Sequence, residues 1–572
     1  MKSAFLQTCV RTCLPLGAFL ALTPIPGWAA QGGGFRQTAR IDAASEYSEL
    51  GKAVAVAGDV DGDGFDDVLV GAFRAAPQGV AYAGAAYVHS GFDGALIYAY
   101  LGGTQAARLG SSVAGAGDVN GDGFADFLVG AVTADPNGLA SAGSVYLYSG
   151  LDGSLLFQFD GLAAGDNLGS AVAGVGDVNG DGLADVLLGA NGAGAQNGGA
   201  ALVYSGATGQ LLFQFDGEQP GDDFGSAVAS AGDFQGDGIP DLLIGAWAAD
   251  PNGLLSAGSA YVYSGADGQL LAQFDGASQG DKLGIAVAGA GDVNGDGISD
   301  FLLGASDADP NGNPSAGSVY VRSGTSGALL YQLDGVKEWM LFGSEVAAAG
   351  DINGDGFDDF WVSAPWADPN NLANAGSVFL YSGASGQLWL RLDGEAVGDG
   401  LGNGLAGAAN FNGDAYADWI LGAAGADPGG LNTAGSAFLY AFEPFVEANP
   451  TSLSATQGGR IDFALDFPDG EAGHEYLMLA SITGTGPWDL YGIEVPLTYD
   501  AVTQLMIQSP PPLVHQSSGN LDSTGDGLAW LDAMPGDLSA FAGGRFWVAA
   551  IAYEAGVAVH LSSVAVRIDI LP

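Results

Sequence analysis

Basic residues are scarce in this chain. Lys and Arg together number 14 against 65 Asp and Glu, a formal net charge of −51 over 572 residues. That balance excludes a protein built on the nucleic-acid phosphate backbone, which needs a basic surface. It also argues against direct docking on an anionic membrane, which needs a Lys/Arg cluster. Cysteine is almost missing: Cys9 and Cys13 are the only two, and both lie close to the N-terminus. The remaining chain can therefore build neither a disulfide framework nor a thiol site. Histidine is equally thin, with four residues, His89, His474, His515 and His560, scattered along the sequence. There is no His-Glu-x-x-His and no phosphate loop. Past the N-terminal segment no apolar run is long enough to cross a bilayer as a helix, so membrane insertion is not expected. The repeats described below also lack any capped stretch of 3.6-residue period.

Glycine and apolar residues are abundant: 97 Gly, 48% hydrophobic and 10% aromatic. The chain can bury a large core, so its acidity is not that of a disordered tail. Residues 1–30 read as a secretory signal peptide. Lys2 and Arg11 give a positive start, Leu14 to Leu22 a short apolar stretch, and Ala29–Ala30 a small-residue cleavage point. The expected location is therefore secreted, extracellular or cell-surface. Many carboxylates with few bases need a reason, and cation binding supplies one.

Internal repetition dominates the rest. Gly117-Asp118-Val119-Asn120-Gly121-Asp122-Gly123-Phe124-Ala125-Asp126 recurs with its first acidic position at Asp59, Asp118, Asp177, Asp233, Asp292 and Asp351, and with Asn410 at the seventh. The one short step follows a trimmed loop after Ala190. Each copy holds four short strand-like runs, in the second copy Ser112 to Val119, Asp126 to Ala131, Ser144 to Tyr148 and Leu155 to Phe159. Gly-Asp, Asp-Gly and Ser-Gly pairs punctuate them as hairpins require. Seven such units describe an all-β, seven-bladed β-propeller, with a stacked solenoid as the rival.

The chain ends discriminate between these. The seventh copy stops after its third run, at Ser436 to Tyr440. The segment Thr38 to Val54 aligns without gaps on Leu156 to Val172, placing Asp42 on Asp160 and Leu50-Gly51 on Leu168-Gly169. Residues near Phe35 to Ile41 are thus a fourth strand lacking its own blade, and are expected to complete the seventh blade. A solenoid has no use for this.

In the acidic loops, acidic or amide oxygens occupy positions 1, 3, 5 and 9, with Gly at 6 in the first six. Alternating oxygens on a tight loop can surround one hard cation, and a carbonyl at position 7 can add a ligand. All-oxygen, multi-carboxylate ligation favours Ca²⁺ over Mg²⁺. The alternative is a set of bare, solvated hairpin turns. An EF-hand is excluded, since no Glu stands at position 12 and a strand follows.

These residues resemble the FG-GAP repeat propellers, the family that includes the integrin α-subunit head. The name motif stands as Phe224-Gly225 and Phe342-Gly343, with Leu-Gly elsewhere. Its second half stands as Val129-Gly130-Ala131 and, with Ser for Gly, as Ser363-Ala364-Pro365. The resemblance implies a propeller over residues 31–445, with Ca²⁺ in the loops between first and second strands and partners on the opposite face. Carried over by position, the first site is Asp59, Asp61, Asp63, the Phe65 carbonyl and Asp67. The second is Asp118, Asn120, Asp122, Phe124 and Asp126, and the third Asp177, Asn179, Asp181, Leu183 and Asp185. The fourth is Asp233, Gln235, Asp237, Ile239 and Asp241, where the longer Gln235 is expected to reach an ion through water. The fifth is Asp292, Asn294, Asp296, Ile298 and Asp300, and the sixth Asp351, Asn353, Asp355, Phe357 and Asp359. The seventh, Asn410, Asn412, Asp414 and Asp418, has lost one carboxylate and carries Ala415 in place of Gly. About five to six Ca²⁺ are expected, structural rather than catalytic.

Residues 446–572 leave the repeat. Runs such as Ile461 to Leu465, Tyr476 to Ala480, Phe546 to Ala552 and Val564 to Ile568 read as a small β-sandwich. Asp522 to Gly527 looks like half a calcium loop, but Trp530 stands where a closing carboxylate is needed, so a plain turn is expected. With the repeated carboxylates assigned as ligands, no enzyme is expected. The leading reading is an adhesion or interaction module binding a protein or polysaccharide at the cell surface or matrix. A lectin-like propeller, suggested by Trp247, Trp366 and Tyr82, is the second reading, and a polysaccharide hydrolase the third.

Overall fold

The computed structural model describes residues 33–352, 355–414 and 416–444, and, past these, the strands between 446 and 571 with short flanks. The leader lies outside the described residues. Each repeat folds as a four-stranded antiparallel meander, and seven such sheets follow one another. In the second, Leu109–Gly117, Asp126–Ala131, Ser144–Tyr148 and Leu155–Asp160 pair in that order. The first strand starts three residues earlier than its sequence pattern suggests. Leu109 is recruited by a parallel bridge to Gly84 of the preceding repeat. The strand ends at Gly117, which turns with φ +72°, a conformation cheap only for glycine.

Burial grades across each blade. The second strand, Asp126–Ala131 here, is buried at every position. It reads as a continuous apolar run because both faces pack against neighbouring blades. Phe127, Leu128 and Val129 are fully buried, worth about 1.5–3 kcal/mol each. The fourth strand, Leu155–Asp160, alternates toward solvent. The first strands are rich in Gly and Ala because they crowd together: a Cβ on Gly115 would stand 2.7 Å from the Val56 carbonyl oxygen. Single 3-10 turns such as Pro136–Gly138 follow the second strands and are the helical element among the described residues of the repeats.

The N-terminal strand Gly33–Asp42 forms the outer edge of the seventh sheet, in the order Gly33–Asp42, Ser436–Pro444, Asp418–Ala423, Leu401–Ala409. Its register runs from Asp42 opposite Ser436 to Gly33 opposite Pro444, with an irregularity between Gln37 and Ala39. The third strand of this blade continues to Pro444, past the expected end at Tyr440, because the incoming strand pairs along its whole length. The first sheet meets the seventh through the same bridge that joins five of the six later pairs of neighbouring sheets. Leu50 bridges Gly435 as Leu109 bridges Gly84 and Leu168 bridges Gly143. On the other edge, Asp66 N donates to Asn410 O at 2.9 Å, as Ala125 N does to Asp59 O at 3.1 Å. The fold is all-β, a seven-bladed propeller arrangement with the N-terminal strand in its last blade.

The C-terminal strands form two larger sheets. One holds Val446–Asn449, Gly459–Asp466, Asp526–Ala533 and Val514–His515, and the other is centred on Arg545–Glu554 and Glu475–Ser481. Ile461, Phe463 and Leu465 of the first share one core with Met478, Val548 and Ile568 of the second, as in a sandwich. Asp522–Gly525 lie outside the described residues.

Candidate metal centres in the acidic loops

Because each blade is a meander, its first-to-second and third-to-fourth links lie on one edge. Its second-to-third link and the link to the next blade lie on the other. All seven acidic loops therefore share one face.

The loop conformation is built by position 1. In the second blade Asp118 Oδ1 accepts from Gly121 N at 2.6 Å and Asp122 N at 3.2 Å, while Oδ2 accepts from Gly123 N at 3.0 Å. Asp59, Asp177, Asp233, Asp292 and Asp351 bind the following amides in the same way. Position 5 holds position 7: Asp122 Oδ1 accepts from Phe124 N at 3.0 Å.

Position 9 lies deepest. Asp67, Asp126, Asp185, Asp241, Asp300, Asp359 and Asp418 are all fully buried. Asp126 accepts from Val119 N at 2.9 Å inside its loop and from Gly150 N at 3.0 Å in the third-to-fourth turn. Asp300 does the same with Val293 N at 3.0 Å and Gly324 N at 2.8 Å. This carboxylate thus clamps two links together whatever else it binds. In the seventh blade, where the third strand runs straight on, Phe442 N at 3.0 Å takes the turn's place on Asp418. Burial, with the neighbouring carboxylates Asp61 and Asp63 adding to it, pushes Asp67 up to about 7. Burial and Asp122 push Asp126 up to about 6. Burial and Asp296 push Asp300 up to about 6, and burial and Asp414 push Asp418 up to about 7. Backbone donors oppose these shifts without cancelling them. Concentrated negative charge out of water wants a proton or a cation.

The loops differ at position 3. In the first, Asp59, Asp61 and Asp67 each bring a carboxylate oxygen within 4.8 Å of the others. This is the one such group of three among the described residues. In the others an amide fills the place. Asn179 Nδ2 lies 3.0 Å from both oxygens of Asp185, and Asn294 Nδ2 2.9 and 3.0 Å from those of Asp300. Asn120 Nδ2 lies 3.3 Å from Asp126 Oδ1. The amide nitrogen stands in for the positive charge, and a cation would require the amide to present its oxygen instead. The all-oxygen set fits a hard divalent ion. Gln235 spans its site more fully, bonding Asp237 at 2.9 Å and Ser264 at 2.8 Å. In the seventh loop Asn412 Nδ2 bonds Asp414 at 2.7 Å and Asn410 accepts from Gly413 N at 2.7 Å. Asn353 and Ala415 lie outside the described residues.

Two residues beside the loops escape a reading by repeat position. Asp66 Oδ2 accepts from Asn410 N at 2.8 Å, and Asp358 Oδ2 from Asp292 N at 2.7 Å. Each crosses to the preceding blade's loop. The signal is the Asp-Asp pair at 66–67 and 358–359, where the other copies carry Ala, Pro or Ser. Gly276-Ala277-Ser278-Gln279-Gly280 has the spacing of a nucleophile elbow. It forms a link between blades, with Ser278 N donating to Asp281 at 2.8 Å, not a strand-to-helix turn. His89 lies in the third strand of its blade, its Nδ1 3.0 Å from Gly94 O.

The FG-GAP repeat family model matches residues 50–89, 109–148, 168–204, 283–321 and 342–381. These are the five blades whose acidic loops carry the full pattern; the unmatched fourth and seventh are those with Gln235 and Asn410. The chain is 32% identical to integrin alpha-V of Gallus gallus over 250 residues, 40% of this chain and 22% of that protein. It is 32% identical to integrin alpha-8 of Mus musculus over 217 residues, 35% of this chain and 20% of that protein. It is 34% identical to integrin alpha-4 of Xenopus laevis over 179 residues, 29% of this chain and 17% of that protein. The chain thus spans about a fifth of the length of these curated relatives. Five matched repeats, one per sheet, together with similarity to several integrin alpha subunits, support an FG-GAP, integrin alpha-like β-propeller.

Proposed function

We propose that this chain is an exported adhesion or interaction module. Residues 31–445 are the propeller and 446–572 an appended sandwich. Ca²⁺ bound in the first-to-second loops pins the strand junctions of five to six blades, and a protein partner binds the opposite face. The observation that carries this reading is the buried position-9 carboxylate, repeated in every blade and surrounded by further oxygens. The kinship with integrin alpha subunits supports adhesion over catalysis. Export rests on the leader pattern of residues 1–30. No helix among the described residues is long and apolar enough to cross a membrane.

A thermal melt in chelator and across a Ca²⁺ titration tests it. A ligand held only by the folded state adds about 2.7 kcal/mol per site at a hundred times its dissociation constant. The expected result is a large upward shift, greater with Ca²⁺ than with Mg²⁺. An unchanged melt at millimolar Ca²⁺ would sink the metal assignment.

A further inference from the structure

Four of the links between blades share one capped turn. At the fifth residue of the link, Gly165, Gly221, Gly280 and Gly398 take positive φ. An Asp follows and caps the turn: Asp166, Asp222, Asp281 and Asp399 accept from Ala163, Gln219, Ser278 and Ala396 N at 2.7–2.9 Å. Three links depart from it while keeping the positive φ: Tyr47-Ser48 before the first blade, Ala106-Ala107 between the first and second, and Trp339-Met340 between the fifth and sixth. The backbone is unchanged, with Trp339 N on Pro314 O at 2.8 Å as Gly280 N is on Leu255 O at 2.9 Å. Trp339 is therefore held at φ +61°, which strains a bulky residue, and Met340 cannot supply the cap. This link gives up two stabilising features, and in return places an indole in solvent: Trp339 is 58% exposed.

A second indole faces the same space. Trp366, in the second-to-third link of the sixth blade, is 54% exposed. Both line one cavity of about 220 Å³. At the position of Trp366, two other blades use an ion pair, Arg74–Glu49 at 2.5 Å and Lys282–Asp307 at 3.2 Å. Polar groups of both signs rim the cavity: Lys337, Glu338, Asp368 and Arg391. Arg391 is fixed in place by Asp393 at 2.6 Å and Ser377 at 3.3 Å. Trp366 also borders an adjoining cavity of about 250 Å³ that gathers Lys52, Glu345 and Asn403 from three blades.

We propose that this groove, on the face opposite the acidic loops, binds a neutral glycan chain, with sugar rings stacked on Trp339 and Trp366 and hydroxyls bonded by Arg391, Asp368 and Glu338. The chemistry selects this occupant. Two exposed indoles offer flat apolar faces to ring C–H groups, and fixed planar ionic groups beside them suit vicinal hydroxyls. The rim carries charges of both signs, with no excess of base to attract an anion, and a polyanion is repelled by a chain of net charge −51. The cavity has room for about one ring at a time, and the neighbouring cavity continues the track. A protein partner needs a broad patch of about 800 Å², while the two indoles that share this cavity come from one link and its neighbour. The inference rests on the opposite face being the binding face.

The test titrates the full-length secreted protein, in Ca²⁺, with neutral hexose and N-acetylhexosamine oligomers, reading indole fluorescence and calorimetric heat. At least one oligomer series binds, and W339A or W366A weakens binding tenfold or more. W339G abolishes binding yet raises Tm, because Gly relieves the strain. W247A, whose indole already lies under the Lys282 ammonium at 5.2 Å, leaves binding unchanged. The proposal is overturned if no oligomer binds at millimolar concentration, if binding survives both Trp substitutions, or if W339G lowers Tm. It is also overturned if Trp339 and Trp366 prove necessary only for a protein ligand that no sugar displaces; that outcome would leave the adhesion reading standing. The Ca²⁺ melt fails or succeeds independently of all of these.

Discussion

Ser436 Oγ donates to Asp42 Oδ1 at 2.6 Å across 394 residues of sequence. The same bond joins Ser144 to Asp160, Ser259 to Asp275, Ser318 to Asp334 and Ser377 to Asp393, always from the start of a third strand to the end of a fourth. Asp42 is thus the fourth-strand aspartate of the seventh blade, carried at the other end of the chain. Asp42→Asn should cost about 1 kcal/mol after allowing for its partial exposure. Asp160→Asn should cost the same. Removing residues 33–42 should lower the melting temperature far more, because the seventh blade loses a whole strand. Paired denaturation curves check both; a silent truncation would refute the strand's structural role.

The position-9 aspartates and their loop neighbours should separate on substitution. Asp126→Ala strands Val119 N and Gly150 N in the interior, and should cost about 2–5 kcal/mol even in chelator. Asp122→Ala should cost little in chelator and should reduce the Ca²⁺-induced rise in Tm. If both variants behave alike in chelator, position 9 is a ligand and not also a clamp.

Stability in chelator should fall as pH rises. Asp67 and Asp418 are pushed up to about 7 in the folded protein, and Asp126 and Asp300 to about 6, from an ordinary 3.8. Between pH 4 and 7 the folded state therefore holds more protons than the unfolded one, and unfolding releases them. The slope of stability with pH is then negative through that window. Melts between pH 4.5 and 7.5 should show Tm declining in chelator. Saturating Ca²⁺ should flatten the decline, since the cation replaces the proton. A Tm that climbs with pH in chelator would contradict the buried-acid account.

Trp361 and Trp419 lie with ring centroids 4.9 Å apart. Both are fully buried, and neither Nε1 has an acceptor among the described residues. Trp419→Ala should cost about 3–5 kcal/mol through the cavity it leaves. Trp419→Phe should cost less than about 2 kcal/mol, because it also removes an unsatisfied buried donor. Urea denaturation distinguishes the two; equal losses would mean that the indole N–H is satisfied by water.

The repeat, its period and its strands were legible because each copy solves the same packing problem with the same residues. Asp126–Ala131 is apolar throughout since both its faces are covered. Gly and Ala fill Leu109–Gly117 since first strands crowd together. The displaced strand was legible too, because Asp42 and Leu50-Gly51 kept their places in the pattern. The acidic loop was legible as a tight turn with alternating carboxylate and amide positions.

What repetition cannot express is what one copy does to its neighbour. The reach of Asp66 and Asp358 into the preceding loop depends on the distance between blades, which no spacing along the chain encodes. So does the clamp from Asp126 to Gly150, since the acidic loop and the third-to-fourth turn meet only once the meander is folded. In sequence Trp366 suggested a lectin-like surface, and nothing singled out Trp339. Only the tertiary structure, by laying one link beside another, decided that they share a groove and that one of them is strained to do so.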